Sequence, residues 1–142
     1  MLSAPRGATS GPSKSLLDPV AVLTACGDDV EGLRRLCQDF QAYAPARPTE
    51  LGQAMRDLNT RWLSQVAHKF NALLFVFSTV AGNVASDLED HAAQGQLDEA
   101  QPLVERFQAM TRELIRLVGG LSLDTLRDQA KAAAQPGQPA GP

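Results

Sequence analysis

The sequence predicts an all-α fold, a bundle of antiparallel helices joined by short links. Hydrophobic residues make up 44% of the 142 residues, but aromatic residues make up only 5%. Ala and Leu are abundant and runs of β-branched residues are few, a balance that favours helices over strands. Apolar residues also recur at the 3.6-residue period of amphipathic helices. A chain of this length is expected to bury the core of one domain without disulfides.

The two ends of the chain carry no apolar period. Residues 1–14 are rich in Gly, Ser and Pro, and this composition predicts a disordered leader. Residues 131–142 are rich in Ala, Pro, Gln and Gly and are predicted to form a disordered tail. The folded domain is therefore expected to span residues 15–130.

Helix start and stop signals are clear in the first part of the domain. Asp18 is a plausible N-cap with Pro19 at the first helical position, and Gly27 is expected to end this short helix. Asp29 is expected to cap the next helix, where acidic residues suit the positive end of the helix dipole. The predicted buried stripe of that second helix is Val30, Leu33, Leu36, Cys37 and Phe40.

A third helical run follows a turn bounded by Pro45 and Pro48, and it opens at Thr49. Its apolar face is predicted to comprise Leu51, Met55 and Leu58. The sequence leaves open whether this run is a separate helix or a bent continuation of the second one.

The strongest helical pattern runs from Thr60 to Phe77. One stripe of this helix is apolar and is expected to be buried: Leu63, Val66, Ala67, Phe70, Leu73, Leu74 and Phe77. His68 points about 170° away from the middle of that stripe. The helix is therefore expected to hold one imidazole out to water.

Three more helices are predicted over residues 79–93, 97–118 and 122–131. Gly95 is expected to make a left-handed turn between the first two of them. Small residues in the first of these helices, including Gly82 and Ser86, allow a neighbouring helix to approach closely.

Charge and composition exclude several classes of function. The net charge of -3 gives a nucleic-acid partner no electrostatic support. No apolar run is long enough to span a membrane, and residues 1–15 lack the apolar core of a signal peptide. We therefore expect no membrane insertion and a cytoplasmic location. Cys26 and Cys37 are expected to be reduced and buried, and the two histidines predict no metal site.

Residues Ala67-His68-Lys69-Phe70-Asn71-Ala72 place an apolar residue two positions after a histidine and a small residue four positions after it. This motif resembles the histidine-containing phosphotransfer (HPt) domain of bacterial two-component phosphorelays. The resemblance extends from Leu17-Asp18-Pro19 through Ala44-Pro45 to the turn Gln94-Gly95-Gln96-Leu97, and covers roughly residues 16–121. It departs at Asn71, where that family commonly has Lys, and near Ser78, where it commonly has Gly.

The resemblance implies an antiparallel up-down four-helix bundle with a short extra N-terminal helix. It also implies a phosphoryl carrier in a His-Asp phosphorelay, in which His68 exchanges phosphate with an aspartate of a receiver domain. A hybrid sensor histidine kinase is a further implied partner. The resemblance places the Mg²⁺ on the receiver, so that this chain needs no cofactor of its own. The chain carries no ATP-binding kinase segment, and we expect a transfer intermediate with no turnover of its own.

Five residues form the predicted phosphate neighbourhood of His68: Ser64, Gln65, Lys69, Asn71 and Ala72. Ser64 and Gln65 would orient the ring, and Asn71 would donate a hydrogen bond to a phosphoryl oxygen. Lys69 projects about 100° around the helix from His68, and the small side chain of Ala72 leaves room for a partner.

Phe75 lies two turns beyond His68 on the same outward sector of the helix. An exposed aromatic commonly marks an interaction site, so Phe75 is predicted to belong to the surface that docks the receiver. The alternative is that another helix covers Phe75 and makes it part of the core.

The second histidine, His91, follows Asp87, Glu89 and Asp90, which would favour its cation and make it a poor nucleophile. We interpret His91 as solvated surface. Two other functions remain open: a degenerate HPt-like bundle that docks a receiver or kinase without phosphotransfer, and a helical adaptor or co-chaperone.

Overall fold

The computed structural model describes residues 16–134, and every regular element in this range is helical. The helices are α1 (Pro19–Cys26), α2 (Val30–Tyr43), α3 (Arg47–Arg56), α4 (Thr60–Phe77), α5 (Thr79–Ala93), α6 (Leu97–Val118) and α7 (Leu123–Ala134). The all-α prediction is confirmed over this range. The predicted leader at residues 1–14 and the tail beyond residue 134 lie outside the described residues.

Local capping explains where the first helices begin and end. The side chain of Asp18 accepts a hydrogen bond from the backbone N–H of Ala21 at 3.2 Å, and Asp29 accepts one from Gly32 at 2.8 Å. Each satisfies a backbone donor that the helix itself leaves unpaired. Gly27 ends α1 with a φ of 65°, the left-handed conformation that glycine adopts without steric cost.

The link between α2 and α3 resolves the alternative that the sequence left open. A single 3₁₀ turn, Ala44–Ala46, joins the two helices, and the backbone keeps right-handed helical angles at Ala44 and Arg47. The third run is therefore a bent continuation of α2. Pro48 is tolerated because it lies in the first turn of α3, where its missing N–H costs no helical hydrogen bond.

Two residues predicted to be buried are exposed. Val30, the first residue of α2, is 64% exposed, and Leu58 is 68% exposed. Leu58 lies beyond the end of α3 at Arg56 and has a φ of 53°, so it leaves the apolar face on which helical spacing placed it. Leu36 and Cys37, from the same predicted stripe as Val30, are half-buried.

Phenylalanine rings form the centre of the core. Phe40 of α2 lies 5.9 Å from Phe70 and 4.9 Å from Phe77, both on α4, as measured between ring centroids. Phe107 of α6 lies 5.5 Å from Phe70. Tilted aromatic pairs of this kind add about 0.5–1.5 kcal/mol beyond their area burial. The cluster fixes α4 against α2 and α6, and so fixes which face of α4 remains outside.

The packing partners of each helix follow from their order. α4 makes its most extensive contact with α5, α5 packs on α6, and α3 contacts both α4 and α6. α1 packs against α2, α4 and α7. The last helix runs to Ala134, so it extends beyond residue 131, where the tail was predicted to begin.

The α4–α5 connection is the shortest link between α-helices within residues 16–134. Ser78 alone separates the two helices; it is buried and its Oγ accepts a hydrogen bond from the N–H of Ala81 at 2.9 Å. Ser78 has an extended backbone, with φ -155°, so no glycine is required at this position. The two helices form a hairpin whose register is fixed by one residue.

No helix within residues 16–134 combines the length and the apolar character that a bilayer crossing requires.

Candidate functional site

His68 stands on the outer face of α4, with 72% of its side chain exposed. The neighbouring Ala67 and Phe70 are fully buried, because the apolar stripe of α4 faces the core. The imidazole is therefore carried by a helix whose rotation is fixed by the aromatic cluster. Its backbone lies within a packed helix while its ring reaches solvent.

One hydrogen bond sets the orientation of the imidazole. His68 Nδ1 lies 2.9 Å from Oε2 of Glu89, a half-buried residue on α5. An ionised carboxylate can only accept, so Nδ1 carries the proton in this contact, and in the neutral form of the ring the lone pair is on Nε2. Within residues 16–134, Nε2 has no hydrogen-bond partner. The arrangement presents a nucleophilic nitrogen to solvent.

The contact between His68 and Glu89 belongs to a regular hairpin register. Residues on the two helices face each other in pairs at equal distances from the link. The α4 member is counted back from Ser78 and the α5 member is counted forward from Thr79, by ten, seven and three residues. The corresponding pairs are His68 with Glu89, Asn71 with Ser86, and Phe75 with Gly82. The His68–Glu89 geometry therefore follows from the one-residue link and the antiparallel packing of α4 on α5.

Asn71 uses its amide within the hairpin. Its Nδ2 donates to Oγ of Ser86 at 2.5 Å and to the backbone carbonyl of Gly82 at 3.3 Å. The side chain is half-buried. Donation to a phosphoryl oxygen, as the sequence suggested, would require this amide to leave its partners on α5. Asn71 acts here as a tie between the two helices.

Phe75 is half-buried and lies across Gly82. A Cβ atom added to Gly82 would lie 2.5 Å from Cδ1 of the ring, closer than atoms can pack. The ring is therefore part of the α4–α5 contact. It is not the freely exposed aromatic that its place on the outward sector of α4 predicted. It is also not one of the fully buried core residues, so the structure supports neither sequence alternative in full.

A small open pocket of about 220 Å³ surrounds the imidazole. It is lined by His68, Ser64, Gln65, Lys69 and Glu89. Ser64 Oγ makes a long contact, 3.5 Å, with the backbone carbonyl of Glu89. The structure thus brings three of the predicted neighbours to the ring, and Ala72 lies exposed on the same helix. Lys69 is the one cation among these lining residues.

Glu89 is the residue that the sequence analysis missed. In the sequence Glu89 is a near neighbour of His91, but in the fold it lines the pocket around His68. The sequence does contain the information that places Glu89 opposite His68. With Ser78 as the link between two antiparallel helices, the residue that faces His68 can be counted outward from the turn.

His91 is not the solvated surface residue that its sequence neighbours suggested. It is half-buried, and its Nδ1 lies 2.6 Å from Oε1 of Gln96, the residue that precedes α6. The backbone carbonyl of His91 also accepts a hydrogen bond from the N–H of Gln96 at 2.8 Å. His91 therefore closes the turn between α5 and α6.

The thiols and the acidic side chains form no metal centre within residues 16–134, where no group of three potential ligands converges. Cys26 and Cys37 are both free, as predicted, with Cys26 buried and Cys37 half-buried. Burial, and to a lesser degree the charge of Cys26, raises the pKa of the Cys37 thiol.

Comparisons with protein-family models, with curated proteins and with solved structures gave no match for this chain.

Proposed function

We propose that this protein is a phosphoryl carrier of a His-Asp phosphorelay, in which His68 accepts and donates the phosphate. The observation that carries the proposal is the 2.9 Å contact of His68 Nδ1 with Glu89, on a ring that is 72% exposed. Phosphoryl transfer depends mainly on positioning and on charge stabilisation. An oriented and accessible imidazole, in its neutral form, supplies the nucleophile that such a carrier needs.

The transfer step uses both ring nitrogens. The Nε2 lone pair attacks the phosphorus of an aspartyl phosphate, and the N–P bond forms as the P–O bond to the partner's aspartate breaks. The aspartate leaves with the electron pair. Because Nδ1 keeps its proton, the phosphorylated ring carries a positive charge, and the Glu89 carboxylate offsets that charge. The reverse step returns the phosphoryl group to a receiver.

The surroundings of His68 are consistent with transfer to a second protein. Ala72, one turn along α4, is exposed and small, so a partner's active site meets no bulky side chain there. Lys69 is exposed beside the pocket and would attract the phosphoryl oxygens. Ser64 and Gln65 line the same pocket and would limit ring rotation. The Mg²⁺ and the remaining charge stabilisation would come from the receiver, as the HPt resemblance implies.

The proposed architecture is the HPt four-helix bundle. We assign its four helices to α2 with α3 as one bent helix, α4, α5 and α6, and its short extra N-terminal helix to α1. The packing of α4 on α5, of α5 on α6, and of α3 on α4 and α6 supports this assignment. In this arrangement α7 is an addition that covers α1.

The proposed partners are a cytoplasmic receiver domain and, upstream, a hybrid sensor histidine kinase. One observation favours a second candidate function, a bundle that docks a receiver or kinase without carrying phosphate. At the position where HPt domains commonly have Lys, Asn71 brings no charge and its amide is already bonded to α5. Nothing comparable favours a helical adaptor or co-chaperone.

The test is transfer from charged receivers. A panel of receiver domains is phosphorylated on the aspartate with acetyl phosphate and Mg²⁺, freed of acetyl phosphate, and mixed with the protein. We expect phosphate to move to the protein in an acid-labile, alkali-stable form and to be absent from the His68→Gln variant. Binding to a receiver without transfer from any member of the panel would contradict the carrier function and support docking alone.

A further inference from the structure

The two helices of the His68 hairpin carry opposite charges. Apart from histidine, α4 has cationic side chains and no carboxylate, whereas α5 has carboxylates and neither lysine nor arginine. The charged residues are Arg61 and Lys69 on α4, and Asp87, Glu89 and Asp90 on α5. His68 meets Glu89 where the two helices adjoin. The accessible ring therefore lies on the boundary between a positively and a negatively charged helix surface.

The charges around His68 do not neutralise each other. Four of them are exposed: Arg61, Lys69, Asp87 and Asp90. Within residues 16–134 none of these four forms an ion pair. Arginine–carboxylate pairs in the same range belong to other helices, as with Arg34 and Glu31 on α2 or Arg116 and Glu113 on α6. The surface around the ring is therefore divided into a positive and a negative half.

Both halves lie within reach of one partner. Arg61 is seven residues before His68, which places it about 10 Å along α4 and only about 20° around its axis. On α5, Asp90 follows Glu89 directly and Asp87 precedes it by two residues. A standard interface covers about 800 Å² of each protein, a patch roughly 30 Å across. A protein that reaches Nε2 of His68 therefore covers both halves at once.

We propose that this divided surface selects the receiver domain and sets its orientation. The inference rests on the proposed function, because phosphoryl transfer requires a receiver to lie over His68. The fitting receiver presents carboxylates to α4 and cations to α5, on opposite sides of its phosphorylated aspartate. Complementary charges speed the encounter, and a receiver turned by half a rotation would place like charges together.

Arg61 and Asp90 act in this way as specificity residues and not as catalytic ones. Their charges change how tightly and in which orientation a receiver docks. With receiver in excess, the loss of one such charge leaves the rate of phosphoryl transfer unchanged.

A charge swap tests the pattern at constant net charge. Arg61→Glu combined with Asp90→Lys reverses one charge on each helix and keeps the net charge of -3. The control swap, Arg35→Glu with Asp39→Lys, makes the same changes on exposed residues of α2 that do not line the His68 pocket. Calorimetric titration with each receiver of the panel measures docking to the wild type and to the two variants.

We expect the hairpin swap to weaken docking of the tightest-binding receiver at least about tenfold. The control swap should change the same docking constant by no more than about twofold. Equal docking to the wild type and the hairpin swap, or equal weakening by the two swaps, would overturn the inference.

Salt dependence gives a second measurement that does not require a variant to fold. The Debye length falls from about 10 Å at 0.1 M salt to about 3 Å at 1 M, so docking of the wild type should weaken at least about tenfold over this range. The difference between the wild type and the hairpin swap should shrink to about twofold at 1 M salt. Wild-type docking that is independent of salt, or a difference that persists at 1 M, would overturn the inference.

Docking and transfer measured on the same proteins separate this inference from the carrier function. Docking that depends on the swap, without phosphate transfer, would contradict the carrier function and keep the divided surface as the docking site. Transfer that proceeds while docking ignores the swap would overturn the inference and keep the carrier function. Neither docking nor transfer with any receiver of the panel would overturn both.

Discussion

The two histidines occupy contrasting places in this protein. Each uses Nδ1 to contact a side-chain oxygen, at 2.9 Å for His68 with Glu89 and at 2.6 Å for His91 with Gln96. His68 reaches a carboxylate on another helix and keeps most of its ring in solvent. His91 reaches an uncharged amide five residues further along the chain and is half-buried.

The difference shows that the orientation of an imidazole and its accessibility are separate properties. The contact of His91 closes a local turn, and the ring that makes it is partly covered. The contact of His68 spans a helix hairpin, leaves Nε2 accessible and places a negative charge where a phosphorylated ring becomes positive. Accessibility together with a charged partner, and not the hydrogen bond alone, distinguishes the proposed phosphate acceptor.

The largest expected effect comes from replacing each histidine in turn. His68→Gln should abolish phosphate acceptance from receivers, whereas His91→Gln should retain it. Because His68 is exposed, its replacement should change the free energy of unfolding by no more than about 0.5 kcal/mol. His91→Gln should cost about 0.5–1.5 kcal/mol through its lost hydrogen bond. Phosphotransfer gels and thermal melting on both variants check these expectations.

A reversed outcome would break the comparison. Phosphate acceptance that survives in His68→Gln and disappears in His91→Gln would make His91 the acceptor. A loss of several kcal/mol of stability in His68→Gln would show that its ring is structural.

Glu89→Gln is expected to have the next largest effect. The amide oxygen of Gln can still accept the Nδ1 hydrogen, but it cannot offset the positive charge of the phosphorylated ring. Hydrogen bonds to charged groups exceed neutral ones by about 1–1.5 kcal/mol, so acceptance should slow by about tenfold. Rapid-quench transfer kinetics measure this. Asp90→Asn, which removes an exposed charge from the next residue of α5, is the control and should transfer at the wild-type rate.

The contact between Phe75 and Gly82 tests whether the hairpin register holds the site. Gly82→Ala places a Cβ into the ring, and overpacking of this kind typically costs about 1–3 kcal/mol. In the double variant with Phe75→Ala, the total loss of stability should be smaller than the sum of the single losses, because the clash is absent. Denaturant unfolding of the three variants measures this coupling. Strict additivity would mean that the ring does not pack on Gly82.

The smallest expected effect is that of Asn71→Lys. A lysine cannot reproduce both amide contacts with α5, so stability should fall by about 1 kcal/mol. The added cation should change the rate of phosphoryl transfer by no more than about threefold, because the side chain at position 71 faces α5 within the hairpin. A gain far above this, with stability unchanged, would show that position 71 faces the phosphate as it does in the resemblance.

Local signals in the sequence were sufficient to predict most helix boundaries. Asp18, Asp29 and Gly95 act through neighbouring backbone, and α4, α5 and α6 begin and end where their apolar periods do. Exposure of His68 also followed, since one face of α4 is so clearly apolar. These features depend on residues within a turn or two of one another.

Features that depend on contacts between helices were predicted less well. The burial of Val30 depends on whether neighbouring helices reach as far as the first residue of α2. The exposure of Phe75 depends on its packing against Gly82 across the hairpin. The partner of His68 required the register of α5 on α4. The one-residue link at Ser78 implies that register when the two helices are antiparallel and in contact.

The most direct test of the central claim is to locate the phosphate on the wild-type protein by NMR. The protein is labelled with ¹⁵N at histidine, phosphorylated by a charged receiver, and examined for ¹⁵N–³¹P coupling. We predict one coupled nitrogen, Nε2 of His68, with Nδ1 still protonated and His91 unchanged. Phosphate on Nδ1 of His68 or on His91, or a protein that takes no phosphate while it binds the charged receiver, would contradict the account.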